Sequence, residues 1–135
     1  TLVDDTYNAN PDSVRAAIDA LARMGVPRAL VLGDMGEVGD QGPQFHREVL
    51  DYAAQCQLDA IWLHGEAMAL AHRQTGIGQF FDELSALIES VSHWISVQQQ
   101  AQHRPSLWIK GSRFMRLERV VQAIAQQQEG QAACC

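Results

Sequence analysis

The sequence predicts an α/β protein of three layers, αβα, with a mostly parallel sheet of roughly five to six strands. Short apolar runs alternate along the chain with segments whose apolar residues recur at helical spacing, the pattern of strands and helices around a parallel sheet. The chain is 135 residues long, close to the size of one domain, and contains neither an internal repeat nor a linker. We therefore expect one domain over residues 1–128 and a polar, disordered tail over residues 129–135.

The opening stretch, TLVDDTYNANPDSV, predicts the end of a buried strand, a polar loop and the start of a helix. Asn10 can accept a hydrogen bond from a free N–H of the first helical turn. Pro11 suits the first helical position because its missing N–H is not needed there. Apolar residues then recur at helical spacing until Gly25 and Pro27 end the helix. The apolar face consists of Val14, Ala17, Ile18, Leu21 and Ala22.

The remaining strands are predicted at short apolar runs, and the remaining helices where apolar residues recur every three or four positions. The strand runs cover residues 29–32, 60–63, 79–81 and 107–109. The helical patterns cover residues 45–56, 67–72, 84–95 and 114–124, and the Gln-rich stretch 98–103 is a polar helix end or loop. Beyond Gln126 the chain is polar and is expected to fray.

Composition argues against several classes of partner. The net charge is −6 and the basic residues are scattered, so nucleic acid is not an expected partner. No apolar stretch is long enough to span a bilayer and no signal peptide opens the chain, so a membrane is not expected either. The cysteines, Cys56, Cys134 and Cys135, fit neither a metal spacing nor a disulfide framework. We expect a monomer in a reducing, cytoplasmic setting, and Thr at the first position indicates a piece of a longer protein.

Polar residues end the predicted strands and should meet at one edge of the sheet. Parallel strands all point the same way, and Asp5, Asp34, His64 and Lys110 each end one of them. In open α/β sheets ligands bind at the carboxyl ends of the strands, so this edge is the predicted ligand site.

The loop after the first strand offers candidate nucleotide ligands. A carboxylate at Asp5 can accept both hydroxyl groups of a ribose or hold a metal ion, although the pair Asp4 and Asp5 also fits a simple strand stop. Tyr7 and Asn8 can stack on or hydrogen-bond to a base, or can serve only as turn formers.

The loops after the second and fifth strands differ in charge. Residues 33–39 lack the spacing of a phosphate-binding loop, and with Asp34 and Glu37 facing outward they would suit a cationic ligand, or form an ordinary connection. Lys110, the one lysine of the chain, and Arg113 precede a helix start and predict an anion site; the alternative is a solvated pair of charges.

The histidines and tryptophans form no recognisable metal-binding or catalytic pattern. No histidine pair has zinc spacing, and no nucleophile–histidine–acid set can be argued. His46 is the histidine placed to face the site, since it follows the 33–39 loop. Trp62, Trp94 and Trp108 are expected in the core.

Three stretches carry a resemblance to a known family: DDTYNANPDSV at the start, LGDMGEVG in the middle and IKGSRFMRLERVV near the end. In this order they resemble the C-terminal domain of the bacterial ATP-dependent Mur ligases of peptidoglycan synthesis. The likeness is to the branch that joins D-alanyl-D-alanine to UDP-N-acetylmuramoyl-tripeptide. It covers nearly the whole chain, and residues 46–49 also match the family's helix after the central loop.

The resemblance implies a Rossmann-like domain that closes over the nucleotide and carries part of the amino-substrate site. The implied reaction uses ATP to phosphorylate the tripeptide carboxylate, and the amine of D-alanyl-D-alanine then attacks the acyl phosphate. The implied cofactors are ATP and Mg²⁺, with the Mg²⁺ ligands mainly outside this chain. The implied partners are the central ATPase domain and the UDP-binding domain of the same enzyme, together with both substrates.

The resemblance also assigns residues. It implies nucleotide contacts at Asp5, which matches the acid that meets the ribose, and at the loop positions Tyr7, Asn8 and Asn10. It implies amino-substrate contacts at Gly33, Asp34, Met35, Lys110, Gly111, Ser112 and Arg113. The family's P-loop, central carboxylate and histidine set and carbamylated lysine have no match here. Without them the isolated domain is expected to be inactive, because phosphoryl transfer would lack its electrostatic stabilisation.

Two other classes of protein remain as alternatives. A signalling receiver domain also opens with an acidic pair and places a lysine after its fifth strand. It needs a phospho-accepting Asp at the end of the third strand, however, and that position reads Leu63-His64-Gly65. The second alternative is a non-catalytic interaction module that has kept the fold and lost the chemistry.

Overall fold

Five parallel strands form the centre of the structure, a computed structural model that describes residues 1–133. The strands are β1 (Leu2–Asp5), β2 (Arg28–Gly33), β3 (Ala60–His64), β4 (Gln79–Phe80) and β5 (Ser106–Lys110). They lie in the order β1-β5-β2-β3-β4, and every neighbouring pair is parallel. The predicted α/β class is confirmed, and the last strand is inserted between the first two.

Helices cover both faces of the sheet. They are α1 (Pro11–Ala22), α2 (Gly42–Gln55), α3 (Glu66–Thr75), α4 (Leu84–Gln100) and α5 (Glu118–Ala133). One apolar core joins α1, α2 and α3 to the sheet, and a second core joins α4 and α5 to the opposite face. Side chains of β2 alternate between the cores: Leu30 and Leu32 enter the first, and Ala29 and Val31 enter the second. The three-layer, Rossmann-like prediction is confirmed.

The start of α1 follows the local rules read from the sequence. The Asn10 side-chain oxygen accepts from the Ser13 N–H at 2.9 Å, and the Ser13 hydroxyl accepts from the Asn10 N–H at 3.0 Å. These two bonds form a capping box, and Pro11 occupies the first helical turn. The opening loop therefore ends at a capped helix start, as the sequence predicts.

The last helix differs from the prediction at both ends. A 3₁₀ turn covers Arg113–Met115, and Arg116 has a left-handed backbone with φ 53°, so α5 begins only at Glu118. Phe114, predicted on the helix face, is instead 64% exposed. At the other end α5 continues to Ala133, past Gln126 and through most of the stretch predicted as a disordered tail. Cys134 and Cys135 lie outside the described residues.

Two glycines at the ends of β2 and β5 are required by a close approach. A Cβ added at Gly111 would lie 2.7 Å from Leu117 Cδ1, and one added at Gly33 would lie 2.8 Å from the same atom. Leu117 is fully buried, so it cannot move aside into solvent. The segment that follows β5 therefore packs closely against the end of β2, with Leu117 in contact with both glycines.

We expect Gly111→Ala to lower the free energy of unfolding by about 1–3 kcal/mol, because the methyl group overpacks a buried contact. The matched control is Gly130→Ala in α5, where an added Cβ meets no atom within 4 Å. That change should leave stability unaltered or raise it by up to about 1 kcal/mol through helix propensity. Urea denaturation of both variants makes the comparison, and equal effects would contradict the packing argument.

A polar network joins α1 to α2 on the surface. The Tyr52 hydroxyl donates to Asp19, and this hydrogen bond, together with partial burial, raises the pKa of Tyr52 above its ordinary value of 10.0. The guanidinium carbon of Arg15 lies 5.9 Å from the centre of the Tyr52 ring, and Arg15 Nη2 lies 3.6 Å from Glu48 Oε2. The raised pKa means that the folded chain holds the Tyr52 proton more tightly than the unfolded chain does.

The stabilisation linked to Tyr52 is therefore present below pH 10.0 and is lost as the pH rises through the folded pKa. In a Tyr7→Phe background Tyr52 is the only tyrosine, so tyrosinate absorbance reports on it alone. We expect its midpoint to lie above pH 10.0, and Asp19→Asn to lower it. A midpoint unchanged by Asp19→Asn would show that the Asp19 bond does not raise the pKa.

Candidate functional site

The polar residues predicted to meet at one edge of the sheet do so. In the strand register Asp5 stands beside Lys110, Lys110 beside Leu32, and Gly33 beside His64. Strand β5 lies between β1 and β2, so Asp5 and Gly33 end strands on either side of Lys110. We call the carboxyl ends of the strands and the loops that follow them the ligand edge.

Asp5 is held by two donors from β5. One of its oxygens, Oδ2, accepts from Lys110 Nζ at 2.9 Å and from Trp108 Nε1 at 3.0 Å. The Asp5 side chain is 33% exposed, and within residues 1–133 its other oxygen, Oδ1, has no protein hydrogen-bond donor. The carboxylate is thus fixed in orientation and keeps one oxygen for a ligand.

Trp108 was predicted only as a core residue, and its part in this site was missed. Trp108 and Lys110 are two residues apart on one strand, so their side chains share a face of the sheet. Asp5 is the register partner of Lys110 on the neighbouring strand. The period-two pattern was visible in the sequence, but the pairing of β1 with β5 was not.

Lys110 is an internal support, which corrects the prediction of a joint anion site with Arg113. Its side chain is 3% exposed, and its ammonium is neutralised by Asp5 and donates to the backbone oxygen of Asn8 at 2.8 Å. The Arg113 side chain is 70% exposed and lies 3.7 Å from Glu118. The two cations therefore do not converge on one anion.

Asp4, the other acid of the opening pair, acts within its own loop. Its Oδ1 accepts from the Thr6 hydroxyl at 2.7 Å and from the Thr6 N–H at 3.3 Å. This is the local strand-stop role that was one of the two alternatives for the acidic pair. Asp4 and Asp5 therefore have separate tasks.

Asp34 was predicted to face outward, but the structure places it inside the protein. It is 8% exposed, and its oxygens accept from Met68 N at 2.9 Å and Ala67 N at 3.1 Å, so it caps the first turn of α3. Gly65, with φ 115°, makes room for this carboxylate, because any Cβ there would overlap it. The bonds tie the loop after β2 to the helix after β3.

Met35 and His46 form the floor of the same loop. Met35 is 3% exposed, and its N–H donates to His46 Nε2 at 2.9 Å. His46 Nδ1 lies 2.6 Å from the Gly42 oxygen, and a carbonyl only accepts, so Nδ1 carries the proton. His46 is 1% exposed, so it supports the loop from beneath and does not face the ligand edge as predicted.

The three loops of the ligand edge are bonded to one another. Gly36 N donates to Ala9 O at 3.2 Å, and Ser112 N donates to Asp34 O at 3.1 Å. Ser112 is 4% exposed, and its hydroxyl has no hydrogen-bond partner within the described residues. Backbone hydrogen bonds therefore join the loop after β2 to both of the other loops, and we call the three loops together the platform.

A few predicted residues remain available to a ligand on this platform. Tyr7 is 79% exposed, and Asn8, Arg113 and Phe114 are also exposed. Asn10 was also predicted to bind nucleotide, but its side-chain oxygen is engaged in the capping box. Gly33 and Gly111 are buried backbone positions.

Over residues 1–133 no group of three or more His, Cys, Asp or Glu side chains is placed to hold a metal ion. No helix in this part of the chain is both long and apolar enough to cross a bilayer.

The parallel sheet, the helices on both faces and the polar loops at the carboxyl ends of the strands define a Rossmann-like α/β domain. Residues 1–133 match the family model described as Mur ligase, glutamate ligase domain. The chain therefore belongs to the Mur ligase family and corresponds to its C-terminal domain.

Curated relatives carry one ligase name. The chain is 35% identical over 123 residues to the UDP-N-acetylmuramoyl-tripeptide--D-alanyl-D-alanine ligase of Escherichia coli, covering 91% of this chain and 26% of that protein. The Haemophilus influenzae ligase of the same name is also 35% identical over 123 residues, covering 91% and 27%. The chain thus spans about a quarter of the length of these relatives.

Solved structures agree with the fold. A crystal structure of MurF from Acinetobacter baumannii matches with a TM-score of 0.80 and 31% identity, covering 93% of this chain and 27% of that chain. MurF ligase from Thermotoga maritima, in complex with ADP, matches with a TM-score of 0.76 and 23% identity, covering 96% and 29%. At that identity the second match speaks for the fold alone.

We expect Lys110→Met to lower the free energy of unfolding by about 1–3 kcal/mol, because it leaves Asp5 without its buried counter-charge. The loss is moderated because Asp5 is partly exposed and keeps its Trp108 bond. Arg113→Gln, at an exposed cation on the same loop, should change stability by no more than about 0.5 kcal/mol. Urea denaturation distinguishes the two, and an equal loss from both would refute the internal role of Lys110.

Proposed function

We propose that this chain is the nucleotide- and substrate-closing domain of an ATP-dependent ligase in peptidoglycan synthesis. The ligase would add D-alanyl-D-alanine to UDP-N-acetylmuramoyl-tripeptide, the reaction named for the curated relatives. Its partners would be the central ATPase domain and the UDP-binding domain of the same enzyme, in the bacterial cytoplasm.

The observation that carries the proposal is the fixed carboxylate of Asp5. Trp108 and Lys110 engage one oxygen, and the other is left to accept hydroxyl groups of a ribose. Tyr7, exposed in the next loop, offers an aromatic face for the base, and Asn8 offers amide donors. The residues present thus fit the nucleoside end of ATP.

The phosphate end of the nucleotide would be held elsewhere. The chain has a single lysine, Lys110, and it is committed to Asp5 and the Asn8 backbone. The described residues also offer no cluster for Mg²⁺. ATP and Mg²⁺ would supply phosphoryl activation of the tripeptide carboxylate, and their remaining contacts would come from the central domain.

The amino-substrate contacts assigned by resemblance take a different form in this proposal. Asp34, Met35 and Lys110 would act as the frame that fixes the loops, since their side chains are engaged internally. Gly33, Gly111 and Ser112 would contribute backbone shape, and Arg113 would be the exposed side chain that can reach a substrate.

We expect ATP with Mg²⁺ to shift the amide NMR signals of residues 5–10 and the indole N–H signal of Trp108. Tyr7→Ala should weaken binding by about three- to tenfold through lost stacking, while Tyr7→Phe should keep it, because the ring is retained. Shifts confined to other parts of the chain would exclude a nucleotide site at Asp5.

The purified chain should release no phosphate from ATP, with or without D-alanyl-D-alanine, because it contains no G-x-x-x-x-G-K-[ST] loop to stabilise phosphoryl transfer. A coupled phosphate assay measures this. Steady, dipeptide-dependent release that persists through further purification would show that the chain is active alone.

A further inference from the structure

Two adjoining cavities open toward the amino ends of β2 and β3, away from the ligand edge. Their volumes are about 460 Å³ and about 430 Å³, within the range of small-molecule sites, and both are lined by Asp59 and Trp94. Asp59 directly precedes β3, and Trp94 lies on α4. Asp59 and His64 lie at opposite ends of β3, roughly 16 Å apart. The cavities are therefore separate from the ligand edge.

A pair of tryptophans forms the aromatic wall of the smaller cavity. The rings of Trp62 and Trp94 meet edge to face, with their centres 5.6 Å apart and their planes at 77°. Trp62 is 1% exposed, and its Nε1 donates to Ser90 Oγ at 2.9 Å. Trp62 thus supports Trp94 from the protein side, and the half-buried Trp94 supplies the surface that a ligand can reach. The face of an indole ring attracts cations more strongly than that of any other side chain.

The carboxylate of Asp59 is the charge that the two cavities share. Its Oδ2 accepts from the Arg28 N–H at 2.8 Å, and the Asp59 N–H donates to the Arg28 oxygen at 2.8 Å, so Asp59 is held against the start of β2. Within residues 1–133 its Oδ1 has no protein donor, and Asp59 takes part in no ion pair. No lysine or arginine of the described chain lines either cavity. A fixed negative charge therefore stands beside an indole ring without a protein cation to neutralise it.

The exposed large apolar side chains of residues 1–133 form two groups. Tyr7 and Phe114 belong to loops of the ligand edge, whereas Val26 lines the larger cavity and Val97 the smaller one. Each cavity thus has an aliphatic wall beside Trp94. Two valines are too few for the core of a protein interface, which buries roughly 800 Å² on each partner. The site therefore suits a small compound better than a protein partner.

We propose that Asp59 and Trp94 bind a small organic cation that carries an alkylated ammonium group. The Trp94 ring contacts the N-methyl groups, Asp59 Oδ1 faces the positive charge, and a valine packs on the alkyl body. A metal ion does not fit, because within residues 1–133 no group of three or more His, Cys, Asp or Glu side chains is placed to hold one. The net charge of −6 favours the approach of a cation.

The test is an NMR titration of the whole chain with choline and with its neutral carbon analogue, in which a carbon atom replaces the charged nitrogen. We expect choline to shift the indole N–H signal of Trp94 and the amide signals of residues 59–62 and 93–98. Choline should bind about five- to tenfold more tightly than the analogue, because the ring face and the carboxylate both act on its charge. Equal affinities would overturn the proposal, since the cavities would then recognise apolar surface alone.

A charge substitution tests the part played by Asp59. Asp59→Asn removes the charge but keeps an oxygen that can accept from Arg28, so choline should bind about three- to fivefold more weakly while the neutral analogue binds as before. The matched control is Asp51→Asn, at an exposed acid on α2, which covers the other face of the sheet. The control should leave choline binding unchanged. Equal weakening by both substitutions would mean that choline responds to net charge alone, against the proposal.

A ring substitution tests Trp94. Trp94→Leu should weaken choline binding about fivefold or more, and Trp94→Phe by less, because a smaller ring is retained. Urea denaturation confirms that each variant is folded, and if Trp94→Leu is not, Trp94→Phe and Asp59→Asn decide the matter. Choline shifts confined to residues 5–10, where Tyr7 exposes another ring, would overturn the assignment. So would the lack of any saturable shift at concentrations well above millimolar.

Discussion

The ammonium of Lys110 is the point to which the ligand edge is anchored. It is buried at the tip of β5, where its charge is tolerable only because Asp5 and the Asn8 oxygen surround it. In doing so it fixes the Asp5 carboxylate and holds the loop after β1 against β5. Lys110, which the sequence predicted to bind an anion, instead positions the Asp5 carboxylate.

Other polar side chains of the ligand edge are likewise bonded within the protein. Asp34 is committed to α3, His46 to the Met35 N–H, and Asn10 to its own helix start. Each of these polar groups is satisfied by a hydrogen bond inside the protein, which leaves few polar side chains of the platform free. The polar side chains of this edge that stay exposed include those of Tyr7 and Asn8, in the loop after β1.

Much of the fold could be predicted because it follows from local pattern. The alternation of apolar runs gave the strands and helices, and the cap at Asn10 and Pro11 is set by neighbours three residues away. The ligand edge itself followed from the shared direction of parallel strands. What could not be predicted depends on partners far along the chain. Asp34 meets α3 across 33 residues, and Asp5 meets Trp108 across 103, once β5 has entered the sheet.

The late insertion of β5 also sets the order in which the molecule can be completed during synthesis. Within residues 1–133 the opening strand, β1, pairs only with β5, and its Asp5 bonds to a residue 105 positions away. Until β5 leaves the ribosome, β1 has no hydrogen-bonded neighbour and one edge of β2 stays open. The half with α2, α3, β3 and β4 can assemble earlier from contacts close in sequence. The Asp5 end of the ligand edge, encoded first, can take shape only after β5 has been synthesised.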